Sequence, residues 1–347
     1  MDLYSLIRPL LFRVEAERAH GLAIAALKCR LPFPPPALPR RLHIRVAGLD
    51  FPSPLGMAAG FDKNAEVADA LLGLGFGFVE TGTVTPLPQP GNPHPRLFRL
   101  VEDHAVINRL GFTSRGQETA LRHLRARVGK PGIVGVNIGA NKDSPDRIAD
   151  YARGAEALAP FASYLTANIS SPNTPGLRAL QERAPLEDLL SRVLAARGGH
   201  RVPVFLKVAP DLAPADVENI AAVAMALKID AIIIGNTTIG RPPQLRSALA
   251  GEAGGLSGAP LKPLAMEMLG RFYRATGGTV PLVGAGGIGS AEDAYRRIRA
   301  GASLVQLYSA LVYEGPGLAR RINTGLAALL ERDGFNTVAD AVGVDAR

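Results

Sequence analysis

The chain has 347 residues, 47% of them hydrophobic and 20% charged, with a formal net charge of +8; that is ample apolar surface for a large core and excludes a mainly disordered chain. Its one cysteine, Cys29, excludes an internal disulfide framework and a cysteine-rich zinc site, and no metal site is expected. The longest uncharged run, Ala157 to Leu177, is broken by Asn168, Pro172, Asn173 and Pro175 and cannot span a bilayer, while Asp2 and Arg8 argue against a cleaved secretory signal.

In chain order, the first 45 residues hold eight basic residues against three acidic ones, so much of the excess charge sits at the front. Leu3, Leu6, Ile7, Leu10, Leu11 and Val14 recur at helical spacing, as do Ala16, His20, Ala23, Ile24 and Leu27, which predicts two short amphipathic helices. Pro9 is expected early in the first helix or at a kink. The Pro-rich stretch Leu31 to Pro39 then reads as a stiff connector. Such helices either pack on the body or lie on a membrane surface, and the segment lacks the regular alternation of aromatic and basic residues that a nucleic-acid stacking platform would need.

From Leu55 onward, short β-branched-rich runs alternate with helical patterns. Strands are predicted at Leu55 to Ala59, Gly77 to Thr81, Ile133 to Asn137, Tyr164 to Asn168, Val204 to Val208, Ala231 to Gly235, Pro281 to Ala285 and Ser303 to Leu307. Helices are predicted near 64–74, 114–127, 146–159, 186–197, 215–228, 260–275, 291–300 and 317–331. Eight β-then-α units imply a closed (β/α)8 TIM barrel with a two-helix amphipathic extension at its N-terminus. Two long connections, Val84 to Phe112 and Thr238 to Ser257, interrupt the rhythm; Arg96 to Leu100 and Ala105 to Ile107 in the first predict a hairpin over the barrel mouth.

Chemistry in this fold lies at the C-terminal strand ends, which here are polar and glycine-rich. Gly286 and Gly287 after strand seven, with Tyr308 and Ser309 after strand eight, suit a phosphate cradle of backbone N–H groups. Gly284 to Gly289 also matches the dinucleotide fingerprint, but Gln306, Leu307 and Tyr308 stand where that site wants an acid. Lys207 ends an apolar strand and should lie inside the mouth, as a Schiff-base nucleophile, a fixed positive charge or half of a core ion pair; Asp211, past Pro210, is not obviously placed to neutralise it. Asparagines 108, 137, 168, 173 and 236 offer donors and acceptors suited to a ligand with amide or imide edges.

The segment Asn168 to Gly176 is the most distinctive in the chain. With Glu17 to His20, Ala58 to Lys63, Gly82 to Pro86, Arg96 to Arg99, Asn108 to Phe112, Asn137 to Asp143, Lys207 to Asp211, Asn236 to Thr238, Gly254 to Gly258, Gly284 to Ile288, Tyr308 and Ser309, the chain resembles the dihydroorotate dehydrogenases, specifically their membrane-associated, quinone-reducing class. The resemblance implies FMN as cofactor, (S)-dihydroorotate as donor, a membrane quinone as acceptor, and a place in pyrimidine synthesis. It implies flavin binding by Ala58, Ala59, Gly60, Phe61, Asp62, Thr83, Asn137, Asn168, Lys207, Gly235, Gly258, Gly287, Tyr308 and Ser309. Gly235 departs from the hydroxyl residue common in relatives, which leaves a backbone contact. Substrate binding falls by resemblance to Lys63, Asn108, Arg109, Leu110, Gly111, Phe112, Asn168, Asn173, Asn236 and Thr237. Ser171 is the implied base for the C5 proton while hydride leaves C6 for flavin N5; Thr174 or a water relay would assist it, and Lys207 would offset charge on the reduced ring.

By the same resemblance, residues 1–40 form a membrane and quinone-access segment, with Arg99 and Tyr308 near the quinone side, and residues 41–347 the FMN-binding barrel. Peripheral attachment to the cytoplasmic side of a bacterial inner membrane is expected, with no nucleic-acid partner. Two other classes remain open on the residues alone: a non-redox barrel aldolase using Lys207, and a basic binding module.

Overall fold

Eight short strands, too apolar to face water on either side, close on themselves in the computed structural model, which describes residues 3–29, 37–174 and 176–346. The chain begins with α1 (Leu3–Leu11) and α2 (Ala16–Lys28), then β1 (Ile44–Val46), β2 (Leu49–Phe51), β3 (Leu55–Met57), α3 (Ala68–Gly73) and β4 (Phe78–Val84). There follow β5 (Leu97–Leu100), β6 (Ala105–Asn108), α4 (Gln117–Arg125), β7 (Ile133–Ile138), α5 (Arg147–Leu158), β8 (Tyr164–Asn168), α6 (Arg183–Ala196), β9 (Val204–Val208) and α7 (Pro214–Ala226). The last part holds β10 (Ala231–Ile234), β11 (Gly255–Gly258), α8 (Lys262–Thr276), β12 (Leu282–Ala285), α9 (Ala291–Arg299), β13 (Ala302–Leu307), α10 (Ser309–Glu314) and α11 (Leu318–Arg332). The closed barrel runs β3-β4-β7-β8-β9-β10-β12-β13 with every neighbouring pair parallel, a (β/α)8 barrel carrying two N-terminal helices.

Several elements differ from the expectation for local reasons. The first helix after β3 begins only at Ala68, because the Asp62 carboxylate accepts the N–H groups of Glu66 and Val67 (2.8 and 2.9 Å) and holds residues 62–67 as a turn. The β5–β6 hairpin gains a third strand, β11, from the second long connection, so both insertions form one antiparallel sheet. β1 and β2 form an unforeseen hairpin through Ala47 and Gly48, both at positive φ (52° and 78°). Pro9 lies well inside α1 rather than in its first turn. Of the Pro-rich connector, residues 31–36 lie outside the described residues, as does Pro175.

The barrel interior is layered. Phe78, Tyr164 and Phe205 fill the floor, Tyr164 stacked on Phe205 with centroids 4.3 Å apart and Phe51 of the hairpin edge-on to Phe78 at 5.1 Å. Such ring pairs add about 0.5–1.5 kcal/mol each beyond the area they bury. Facing them, Gly56 and Gly135 must lack side chains, because a Cβ would stand 2.3 Å from the Phe78 ring and 2.1 Å from the Tyr164 ring. One layer higher the interior turns polar, with Glu80, Thr166, Lys207 and Gln306 all buried.

Candidate active site

Above that polar layer the strand ends open onto one cavity of about 1640 Å³, reaching from the β8 and β10 loops to α1 and α2. This exceeds the roughly 300–1,000 Å³ of a single small-ligand pocket, so there is room for more than one bound molecule.

On its polar side the loop after β8 supplies Ser171 and Asn173. Ser171 is 6% exposed, and its Oγ accepts the Asn173 N–H at 3.3 Å. The Asn173 amide donates to the Asn108 carbonyl (3.0 Å), tying the loop to β6. Asn236 Nδ2 donates to Ser170 Oγ, and Ser170 Oγ to Asn168 Oδ1, both at 2.8 Å. Arg178 fastens this wall from behind: Nε donates to the Ser170 carbonyl (3.1 Å), Nη2 to the Thr237 carbonyl (3.3 Å) and Nη1 to Asp211 Oδ2 (3.0 Å). The Thr174 and Thr237 hydroxyls are buried with no hydrogen-bond partner among the described residues. Thr174 therefore makes no direct bond to Ser171.

Lys63 enters from the turn after β3, its Nζ 3.4 Å from His20 Nε2 of α2. Burial lowers the Lys63 pKa to about 8, and burial, then the Lys63 charge, lowers that of His20 to about 3, so His20 is neutral. His20 packs edge-on to Phe61, which meets Tyr308 at 5.6 Å, and these three rings open the cavity towards the front helices. Burial raises the Tyr308 hydroxyl pKa, keeping the phenol neutral. Arg99 donates to the Leu11 and Val14 carbonyls and its guanidinium lies 4.9 Å from the Phe12 ring centroid, fixing the end of α1 beside the cavity.

Glycine turns form the opposite rim. Gly286 and Gly287 have φ of 99° and 73°, and a Cβ on Gly287 would meet the Lys262 backbone at 2.9 Å. Gly235 has φ 120° and a Cβ there would meet the Ala285 carbonyl at 2.4 Å, so this backbone excludes a hydroxyl-bearing residue and offers main chain alone.

Ala58, Ala59, Gly60, Phe61, Thr83, Asn168, Lys207, Gly235, Gly258, Gly287, Tyr308 and Ser309 line the cavity, as do Lys63, Asn108, Leu110, Gly111, Phe112, Ser171, Asn173, Asn236 and Thr237. Three expected side chains lie elsewhere. Arg109 turns outward, bound to Glu252 at 2.8 Å with its guanidinium 4.6 Å from the Phe98 centroid. Asp62 is consumed by the turn already described. Asn137 points down: it accepts from Thr83 Oγ1 (2.6 Å) and Asn168 Nδ2 (3.0 Å) and donates to Glu80.

Glu80 is a buried acid that the sequence did not single out, and it supplies the core ion pair left open for Lys207. Asp211 pairs with Arg178, while the Lys207 ammonium lies 3.9 Å from Glu80 Oε1 on a strand far upstream. Both side chains are buried.

A sequence profile described as dihydroorotate dehydrogenase matches residues 41–330. The chain is 61% identical to the dihydroorotate dehydrogenase (quinone) of Novosphingobium aromaticivorans, with 99% of each chain covered, and 59% identical to that of Erythrobacter litoralis, covering 98% and 99%. A crystal structure of the Eimeria tenella DHODH in complex with ferulenol superimposes with a TM-score of 0.91 at 41% identity, over 95% of this chain and 96% of that one. Its ligand-free counterpart gives the same score and identity over 95% and 99%.

Proposed function

The chain belongs to the dihydroorotate dehydrogenase family, in its quinone-type class, and from that premise we propose that it oxidises (S)-dihydroorotate to orotate on a bound FMN and delivers the electrons to a membrane quinone. The observation that carries this reading is the two-sided cavity: an asparagine-rich wall holding Ser171 and an aromatic and aliphatic wall leading to α1 and α2, with Lys207 between them.

The residues present fit a flavin. Gln306 Oε1 is buried and has no partner among the described residues, so it can take a donor from the ring, and Lys207, like Gln306 a neighbour of Glu80 lining the cavity, supplies a positive charge. Gly258, Gly286 and Gly287 keep a side-chain-free rim where the phosphate would lie, and a Cβ on Gly258 would stand 2.4 Å from the His104 carbonyl. When bound, FMN supplies hydride acceptance from the substrate and passes the electron pair on.

The chain's own side chains do the rest. Ser171 Oγ takes the proton from substrate C5. Lys63 binds the substrate carboxylate, and Asn108, Asn173 and Asn236 bind its ring amides. Phe112 and Leu110, from the loop after β6, cover the substrate and exclude water. Quinone reaches the cavity between α1 and α2, past Phe61, His20 and Tyr308. Among the described residues no helix is long and apolar enough to cross a membrane, yet Leu6, Leu10 and Leu22 are each more than half exposed on the basic front. In this reading residues 1–40 serve as a peripheral anchor on the cytoplasmic face of a bacterial inner membrane, a role the exposed leucines support, and residues 41–347 as the catalytic barrel. The test is anaerobic and optical. The purified chain should be yellow, bleach with dihydroorotate and regain colour with a ubiquinone analogue; a colourless chain that FMN cannot reconstitute would sink the reading.

A further inference from the structure

The eight barrel strands carry only three titratable side chains, Glu80, Tyr164 and Lys207, and Glu80 contacts both of the others. The strands β3, β7, β10, β12 and β13 contribute none; the neighbours they and β8 place around the pair, Asn137, Thr166, Asn168 and Gln306, are neutral. Two opposite charges inside a barrel are costly to desolvate, so their juxtaposition calls for a purpose or a full set of partners.

Glu80 has the partners. Asn137 Nδ2 donates to Oε1 at 2.8 Å; Gln306 Nε2 donates to Oε2 at 2.9 Å, and Tyr164 OH and Thr166 Oγ1 at 3.2 Å each. The Asn137 amide cannot turn over, because its oxygen already accepts from Thr83 and Asn168. Four donors thus converge on this carboxylate, and Glu80 has no exposure through which to touch a ligand. Lys207 is otherwise without an ionic partner among the described residues. Burial lowers its pKa and Glu80 raises it again, so the lysine's charge depends on the acid below it.

We propose that Glu80 is a positioning residue of this active site: from beneath the cavity, it keeps the Lys207 ammonium charged and directed at the flavin ring, so that the reduced ring can hold its negative charge. Asn137, assigned by motif to the flavin, belongs to this support. The inference rests on the functional reading above.

The test compares full-length, FMN-loaded wild type with Glu80→Gln, Glu80→Asp, Lys207→Met and the double variant Glu80→Gln/Lys207→Met, measuring the flavin midpoint potential from pH 6 to pH 9. In Glu80→Gln the potential should match wild type near pH 6 and fall progressively below it towards pH 9, as Lys207 gives up its proton. Glu80→Asp should restore the wild-type profile, and the double variant should coincide with Lys207→Met. An Glu80→Gln profile superimposed on wild type, or a shift that survives in the Lys207→Met background, overturns the proposal. If Glu80→Gln does not fold, thermal unfolding of the double variant decides. Recovery on removing the lysine supports an uncompensated buried charge, and equal failure assigns Glu80 to packing. A wild-type chain that binds no FMN overturns the functional reading and this inference together, whereas a yellow wild type with an unmoved Glu80→Gln profile overturns the inference alone.

Discussion

Asn108, Asn168, Asn173 and Asn236, on the polar wall, are each hydrogen-bonded to neighbouring strand ends or loops, whereas α2, on the apolar wall, buries no residue at all. Only partly buried side chains of α2, Ile24 and Leu27, pack on the core, and its polar ties are at the edges: Glu17 accepts three bonds from Arg96 at 2.7, 2.9 and 3.2 Å, and Lys28 pairs with Glu66. α1 is similar, with the Tyr4 hydroxyl on the Val312 carbonyl and Arg8 on the Tyr313 carbonyl. The polar wall is thus continuous with the barrel and shares its rigidity. The front helices are attached through partly buried apolar contacts and a few bonds at their edges, each bond worth about 0.5–3 kcal/mol, and can shift without unfolding the core. A site that must bind a small polar substrate tightly and admit a long apolar one benefits from that division.

The largest effect should come from breaking the polar wall. Ser171→Ala removes the base, and general-base catalysis is worth about 10²–10⁴-fold. Flavin reduction by dihydroorotate, followed anaerobically by stopped flow, should slow by that order while FMN stays bound; reduction at the wild-type rate would show that the proton leaves by another route. Next comes the front. Glu17→Gln leaves Arg96 on the Pro90 and Asn92 carbonyls but takes the charge from its bond to α2. Losing a charge-assisted bond of about 1.5–3 kcal/mol should lower quinone-dependent turnover roughly tenfold or more at limiting quinone, with flavin reduction unchanged. Equal losses in both half-reactions would erase the distinction between the walls.

Lys63 gives the comparison a pH signature. Its pKa of about 8 means that the ammonium is present below pH 8 and is lost above it, while the orotate carboxylate is ionised throughout. Orotate binding should therefore be level up to about pH 8 and weaken by up to tenfold per unit beyond, measured through the change in flavin absorbance. Level binding to pH 10 would assign the carboxylate to a different partner.

The barrel was legible because its strands are buried on both faces and read as unbroken apolar runs, and because helical periodicity separates them. What escaped the sequence depends on contacts between distant residues. The β1–β2 hairpin turns on Ala47 and Gly48, without the Asn-Gly or Asp-Gly pair that marks such turns, and β11 is a four-residue strand with a glycine at each end, defined only by pairing with β6. Motif membership placed Arg109, Asp62 and Asn137 in the site but could not say which way their side chains face. Asp211, close to Lys207 in sequence but past Pro210, is not its partner; the partner, Glu80, lies across the barrel, where nothing local signals it. A lone acid in the run from Phe78 to Val84 was the available clue, since a charge inside an apolar strand needs a counter-charge on an inward-facing neighbour.

The smallest effect tests a single hydroxyl. Thr174 Oγ1 is buried, 3 residues along from Ser171, and unpaired among the described residues, which for a hydroxyl costs about 1–3 kcal/mol relative to a satisfied one. Thr174→Val keeps the shape and removes that polar atom, so thermal unfolding should shift upward by roughly 1 kcal/mol of added stability. If the hydroxyl also passes the Ser171 proton through a bridging water, flavin reduction should slow a few-fold in the same variant, with a solvent isotope effect that the wild type shows and the variant lacks. Stabilisation without slowing would leave Ser171 to discharge directly to solvent, and it would make the unpaired hydroxyl a cost of the loop's shape, with no part in the chemistry.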